Sequence, residues 1–486
     1  MREMPIPRQQ VVDPEVDGGS MVWEMALGRP CVSGRRCGSR HVSPVGRVGI
    51  VVLVAVAASC SLGGGDEVSS GQQPSEEAGA PVVDLSSTEW RPVPLPESVR
   101  GLEGVSSVAL GSELLLAGGG KRIGEEVPEV GVVSWQPSSA VNVFDTESGK
   151  WSELPDLPGQ GAVSGVTGTR LGSSTILVGL DCEAAEPSES FSCSGSSLTT
   201  TIWTLSEGAG EWEPHLPPPE VAKRFDKGLS SLSSVRSIAT LTGVVDGQLV
   251  VALHEGSYVV GSAGYWELYL VDSASWEWKQ IATPPSLYEE HQLCVTSGAL
   301  RTVSASIAPA GEFTDIYLAK NATLLTFEPA TGEWRPGPVV EFEQQVSASG
   351  SRVVCAEEGM YAQEHLLGES QPGVDTDSWW HLSLPEGGWE RLPPIVELEG
   401  AESDPLVSTD WTPAPAGTGL LAMANTGLSE VISVAEYDPV SNAWTELPDI
   451  PSGGRGGQPI VVGSTAIDVA ALTFAGDTDL PAIRID

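Results

Sequence analysis

Short runs of apolar or alternating residues recur along the chain, each followed by a polar cluster. Examples are Val141-Asn-Val-Phe144, Thr201-Ile-Trp-Thr-Leu205, Leu268-Tyr-Leu-Val271, Leu324-Leu-Thr-Phe327, Trp379-Trp-His-Leu382 and Ile432-Ser-Val-Ala-Glu-Tyr437. Runs of this length bounded by turn residues predict β-strands. After each comes a residue able to cap a turn: Asp145, Ser206, Asp272, Glu328, Ser383 and Asp438, with Asp84 opening the series. Six positions further on stands a tryptophan every time, at 90, 151, 212, 278, 334, 389 and 444. Side-chain oxygens at the cap can accept from backbone N–H groups one or two residues on, and Gly149, Gly332 and Asn442 suit the left-handed step of a tight turn. The strand beginning at the tryptophan often ends on proline (Pro94, Pro155, Pro393, Pro448), which cannot donate to a ladder and belongs at edges and ends. Two further β runs usually follow, as in Val105–Leu110 and Leu114–Ala117, giving about four strands per period.

Tryptophan spacings of 55 to 66 residues are a repeat signature. Tyr437-Asp438 through Trp444-Thr-Glu-Leu447-Pro448 and Phe144-Asp145 through Trp151-Ser-Glu-Leu154-Pro155 resemble the kelch repeat, and the resemblance covers residues 84 to 486. Its diglycine survives well only at Gly118-Gly119. The resemblance implies an all-β propeller of four-stranded blades around a channel. Pro459–Val462, Ile467–Ala470 and Ile483–Ile485 supply three strands that lack a fourth, whereas residues 84–95 hold one tryptophan-bearing strand that lacks three. Together they predict seven blades, the last closed by the N-terminal strand. Six is the alternative if one divergent period collapses.

The N-terminal region reads differently. Eleven apolar residues, Val48–Ala58, follow Arg35, Arg36, Arg40 and Arg47 and lead into Ser59-Cys60. This is too short for a spanning helix, which needs roughly 18 apolar residues, and reads as a secretory segment. It resembles a bacterial lipoprotein signal with Ala57-Ala58-Ser59-Cys60 as lipobox, implying that Cys60 is lipidated. Residues 1–59 are then a signal region whose first 34 or so residues exceed an ordinary leader, which places the true start at Met21, Met25 or later. Residues 60–83 are a flexible tether rich in Gly, Ser and Glu, and 84–486 the propeller. The expected address is the outer face of the bacterial cytoplasmic membrane, held through the lipid alone.

Charge changes the list of partners. The chain carries 25 Lys+Arg against 65 Asp+Glu, net −40, and the signal region takes away seven Arg and five acidic residues, leaving 18 against 60. Such a surface repels a phosphate backbone, so nucleic acid is excluded as a partner, and a soluble monomer is expected.

Four cysteines remain beyond Cys60. Cys182 and Cys193 flank a Ser/Glu-rich insertion and are expected to pair. Cys294 and Cys355 each precede a turn glycine by four residues on the expected inner strands of neighbouring blades, and their pairing is open because such strands can stand too far apart.

Little here points to chemistry. Six histidines and no His-Glu-X-X-His, P-loop or nucleophile elbow give no metal site, no cofactor and no catalytic residue to assign. Connections 119–140, 181–200, 214–228, 254–265 and 283–292 are expected on one propeller face, where kelch-type proteins bind ligands. Arg100, Gln160, Arg224, His291, Gln345 and Arg455 are expected at the channel mouth. Arg100, Arg224, His291 and Arg455 are the candidate ligand contacts, arginine forks suiting carboxylates and sugar hydroxyls. Trp135, expected in a long loop, is the candidate stacking residue. The reading is a binding or scaffold module for a protein, peptide or glycan of the cell envelope, more a binder than an enzyme. The alternative is a carbohydrate-active enzyme of the kelch mutarotase or oxidase type.

Overall fold

The computed structural model describes residues 82–486 except 87–88, 124–133, 159–163, 183–197, 222–234, 258–264, 285–292, 310–316, 348–352, 358, 366–376, 385–386, 396–409, 426–430, 452–456, 474–477 and 486. Seven four-stranded antiparallel sheets are present, together with one small three-stranded sheet. Blade 1 runs Ser106–Leu110, Glu113–Ala117, Val141–Asp145 and Lys150–Leu154 from first to fourth strand. Blades 2 to 6 begin at Ser164, Val235, Leu293, Val353 and Asp410 and repeat that order. First strands of successive blades touch in an unbroken cycle, with that of blade 7 (Pro459–Val462) reaching that of blade 1, so the ring is complete.

Blade 7 takes its fourth strand from the other end of the chain. Arg91–Pro94 pairs with Asp479–Arg484, Val93 opposite Leu480 and Arg91 opposite Ala482, as the two incomplete sets of strands predicted. The lead-in continues past this strand to blade 1: Val83 donates its N–H to the carbonyl of Gly149 at 2.9 Å, and Leu85 is buried. Gly149 sits at φ 64°, and a Cβ there would lie 1.9 Å from the Val83 oxygen. Gly149→Ala is therefore expected to cost about 1–3 kcal/mol by combining left-handed strain with displacement of the lead-in. Thermal melts of the two proteins measure it, and an unchanged midpoint would show that the lead-in holds nothing.

The ring has no single core. One principal apolar cluster occupies each seam between neighbouring blades. Alternation along a strand divides the side chains: Leu114 and Leu116 face the 7–1 seam, Leu115 and Ala117 the 1–2 seam. A second strand covered on both faces therefore reads as a continuous apolar run.

Caps behave as predicted at four periods. The carboxylate of Asp145 accepts from the Glu147 and Ser148 N–H groups, that of Asp272 from Ala274 and Ser275, that of Asp438 from Val440 and Ser441, and that of Asp84 from Ser86. Hydrogen bonds from Ser86, Ser275 and Ser441 hold Asp84, Asp272 and Asp438 below the usual carboxylate value. Burial alone would raise Asp145, but the bonds from Ser148 and Glu147 outweigh it. The other periods turn differently. Glu328, with its longer side chain, reaches Thr331 and Arg335, while Ser206 and Ser383 contribute their backbone carbonyls, to Ala209 and Gly387.

Two positions before the tryptophan, Gly149, Gly332 and Asn442 have φ of 64°, 75° and 50°, as that turn requires. In blade 3 the same place holds Trp276 at φ 58°, a conformation that costs a side-chain-bearing residue about 1–2 kcal/mol.

Candidate functional site

The two ends of the ring differ. On one end the hairpins between first and second strands are minimal: 111–112, 172–173, 246–247, 297–298, 417–418 and 463–464. On the other, connections between second and third strands and from each blade to the next include 118–140, 183–197, 216–234 and 392–409. The strand ends that bear the insertions expected from the sequence therefore lie at one end of the ring, because antiparallel blades return both kinds of connection to the same end.

The hairpin Gly120–Ile123 and Ser134–Pro137 lies within the first of these insertions and pairs with Leu102–Glu103 to form the three-stranded sheet. Trp135 is thus a strand residue opposite Arg122, where the sequence suggested a loop. Signals for this hairpin were weak because its strands, Gly-Lys-Arg-Ile and Ser-Trp-Gln-Pro, are short and show no apolar alternation.

Arg100 is exposed on the connection from blade 7 to blade 1. Its Nε donates to the carbonyl of Leu95 at 2.9 Å, anchoring the side chain on its own turn. Next to it the Ser98 hydroxyl bonds Oδ1 of Asn142 at 3.0 Å, fixing this connection to blade 1. Gln345 falls in the fourth strand of blade 4, Glu333–Ser347. Arg224, His291, Arg455 and Gln160 lie outside the described residues, as do Cys60 and Cys193; Cys182 ends the strand Ser174–Cys182. Of the six residues expected at the channel mouth, Arg100 is the one that is fully described.

Cys294 and Cys355 lie on the first strands of blades 4 and 5 and form a disulfide, their Cα atoms 5.5 Å apart. Neighbouring inner strands meet in matching register here, which brings the separation into the range a bridge needs. Thr296 at the same seam donates its hydroxyl to the carbonyl of Ala356 at 2.8 Å.

Three features went unnoticed in the sequence. Arg301, opposite Cys294, is only 7% exposed, and its guanidinium donates to the carbonyl of Thr296; burial lowers its pKa. Within blade 5, on the side facing blade 6, His381 stacks on Tyr361 of the adjacent strand with ring centroids 4.6 Å apart, and the Tyr361 hydroxyl donates across the seam to the carbonyl of Thr418. Burial lowers His381 from its usual value against the opposing charge of Glu390; burial, with Tyr437 and Asp438, raises Tyr361. Between blades 2 and 3, His215 stacks on Trp276 at 3.7 Å. A lone histidine or arginine in an apolar run carries no signal of what an adjacent strand or blade presents to it.

A cleft of about 680 Å³ opens between blades 1 and 2 on the short-turn face. Leu115, Val143 and Leu205 form part of its lining, and Arg170 and Glu113, also in the lining, pair with each other from the two blades. That pairing uses the one guanidinium in the lining, which otherwise mixes apolar residues with Ser173, Thr175, Ser206 and Glu207. Among the described residues, no group of three or more His, Cys, Asp or Glu side chains is placed to hold a metal ion.

No family model matches this chain, and no curated protein matches it. Among solved structures it is similar to the tricorn protease, with a TM-score of 0.36 and 11% identity over 75% of this chain and 27% of that one. The chain thus spans about a quarter of that protein, and a likeness at this level adds nothing to a fold already defined by its strand pairing.

Proposed function

We propose that the chain is a kelch-type, lipid-anchored extracytoplasmic module that binds a protein, peptide or glycan of the cell envelope through its insertion-rich face. The observation that carries this reading is the asymmetry of the connections. Loops held on a rigid ring are where binding residues concentrate, and here length variation is confined to one end while the other keeps minimal turns. Val83 and Ile485, near the two described chain ends, are bonded to short-turn segments, at Gly149 and Ser464.

The test is a binding screen of sugars and cell-wall fragments against chain 61–486, repeated with Arg224→Ala, Arg455→Ala and Trp135→Ala. At least one hit is expected to weaken tenfold or more, about 1.4 kcal/mol, in one of these variants. Binding that ignores all three changes but is lost on Glu207→Arg, at the cleft of the short-turn face, would overturn the assignment of the face.

A further inference from the structure

The seven repeat tryptophans do two different things. Trp212, Trp334, Trp444 and Trp90 each donate the indole N–H to a carbonyl of the preceding blade, at Pro155, Ala282, Pro393 and Pro448. These bonds clamp the seams 1–2, 3–4, 5–6 and 6–7. The indole nitrogens of Trp151, Trp278 and Trp389 are buried without a hydrogen-bond partner, so the seams 7–1, 2–3 and 4–5 have no such clamp. Seam 4–5 carries the disulfide Cys294–Cys355 instead.

The surroundings of that disulfide are asymmetric. Cys294 is fully buried, whereas Cys355 is half-buried. Arg301 is the residue paired with Cys294 across neighbouring strands. Both side chains therefore lie on the face of blade 4 that meets blade 5, starting about 4.5–5.5 Å apart at Cβ. The guanidinium donates to the carbonyl of Thr296, two residues along the strand of Cys294. Among the described residues no carboxylate pairs with it, and burial alone depresses its pKa. The other charged side chains described around the seam sit on turns or on the outermost strands: Glu328, which pairs with Arg335, then Glu333, Glu357 and Arg391. A guanidinium buried without a counter-charge is costly. This one stands where a negative charge would be created if the sulfur–sulfur bond broke.

We propose that Cys294–Cys355 is an exchangeable disulfide, opened by a small thiol at Cys355, with Cys294 as a leaving group stabilised by Arg301. The thiolate of the small molecule attacks Sγ of Cys355. A new S–S bond forms there as the Cys294–Cys355 bond breaks, and the electron pair departs on Sγ of Cys294 as a thiolate beside the guanidinium. A second small thiol then attacks the mixed disulfide, leaving two reduced cysteines and the oxidised small molecule, so two electrons pass to the protein. A leaving thiol of lower pKa departs faster, and a neighbouring cation lowers that pKa. Blades 4 and 5 do not have to separate. Val303, Leu324, Val353, Met360 and Leu382 stay packed in the seam, and the Thr296 hydroxyl still bonds the Ala356 carbonyl. Both sulfurs therefore remain opposed, and the bond can re-form. The site is independent of the ligand taken by the insertion-rich face.

To test this, excess glutathione is added to the full chain without denaturant at about pH 7.5, samples are quenched with acid at successive times, and peptides are mapped by mass spectrometry. The trapped mixed disulfide is expected on Cys355 with Cys294 free, an assignment that needs no variant. Arg301→Met is expected to slow loss of the bridge several-fold, and Arg301→Lys, which keeps the charge, to restore most of the rate. A merely loosened seam would speed cleavage, so slowing followed by rescue reports the charge. Glutathione on Cys294, cleavage only in denaturant, or Arg301→Met cleaved at the native rate would overturn the proposal.

Discussion

A chain that starts at Glu97 is expected to lose its cooperative unfolding transition, because it lacks the strand that completes blade 7. The segment removed contains Val93, Leu95 and Leu85, all at least nine-tenths buried in the 7–1 seam. At about 1.5–3 kcal/mol for each buried aliphatic side chain, the loss is about 5–9 kcal/mol before the strand ladder is counted. A natural domain has roughly 5–15 kcal/mol in total. The truncation also exposes the edge of Asp479–Arg484, a row of unpaired backbone groups that invites association. Circular dichroism melts and light scattering read both effects, and a peptide spanning 82–96 added in trans should restore the transition. A truncated chain that melts like the intact one would mean that blade 7 is stable with three strands.

The second large effect is expected at a clamped tryptophan. Trp212 is 3% exposed, and Trp212→Ala should cost about 3–5 kcal/mol through the lost burial and the cavity it leaves. Trp212→Phe isolates the clamp: it keeps most of the ring but removes the donor to Pro155, leaving that carbonyl without its partner. About 0.5–1.5 kcal/mol is expected from the bond itself. Trp151→Phe is the control, since the Trp151 indole nitrogen has no partner to lose and its removal relieves a buried orphan donor. Equal losses in the two phenylalanine variants, read as denaturant midpoints, would show that the 2.7 Å bond contributes nothing.

Why some of this was legible in the sequence follows from what each feature depends on. Caps such as Asp145 and Asp438 act on residues two or three positions away, so their chemistry is complete within a short window. The number of blades followed from counting tryptophans, and the shared blade 7 from noticing that residues 84–95 and 459–485 are complementary fragments. Pairing of Cys294 with Cys355 depended on the register between two blades, which no local pattern encodes. The same holds for His215: its strand is readable, but the ring it meets belongs to a turn 61 positions later, in a place where glycine would be the usual choice. Trp135 was misplaced because the hairpin carrying it lacks alternation. The ligand-contact set is the least legible part, since its members come from different connections whose convergence depends on loop conformation.

Closing the ring with strands from opposite ends of the chain also sets an order of events. Arg91–Pro94 is made before every other strand of the ring, whereas its partner Asp479–Arg484 is the last of the described strands to be made. Local hairpins of blades 1 to 6 can form as they emerge, but blade 7 must wait and then bear the entropy of joining segments from opposite ends of the propeller. A ring of this kind cannot close until Asp479–Arg484 has been made, however many of its other blades have already formed.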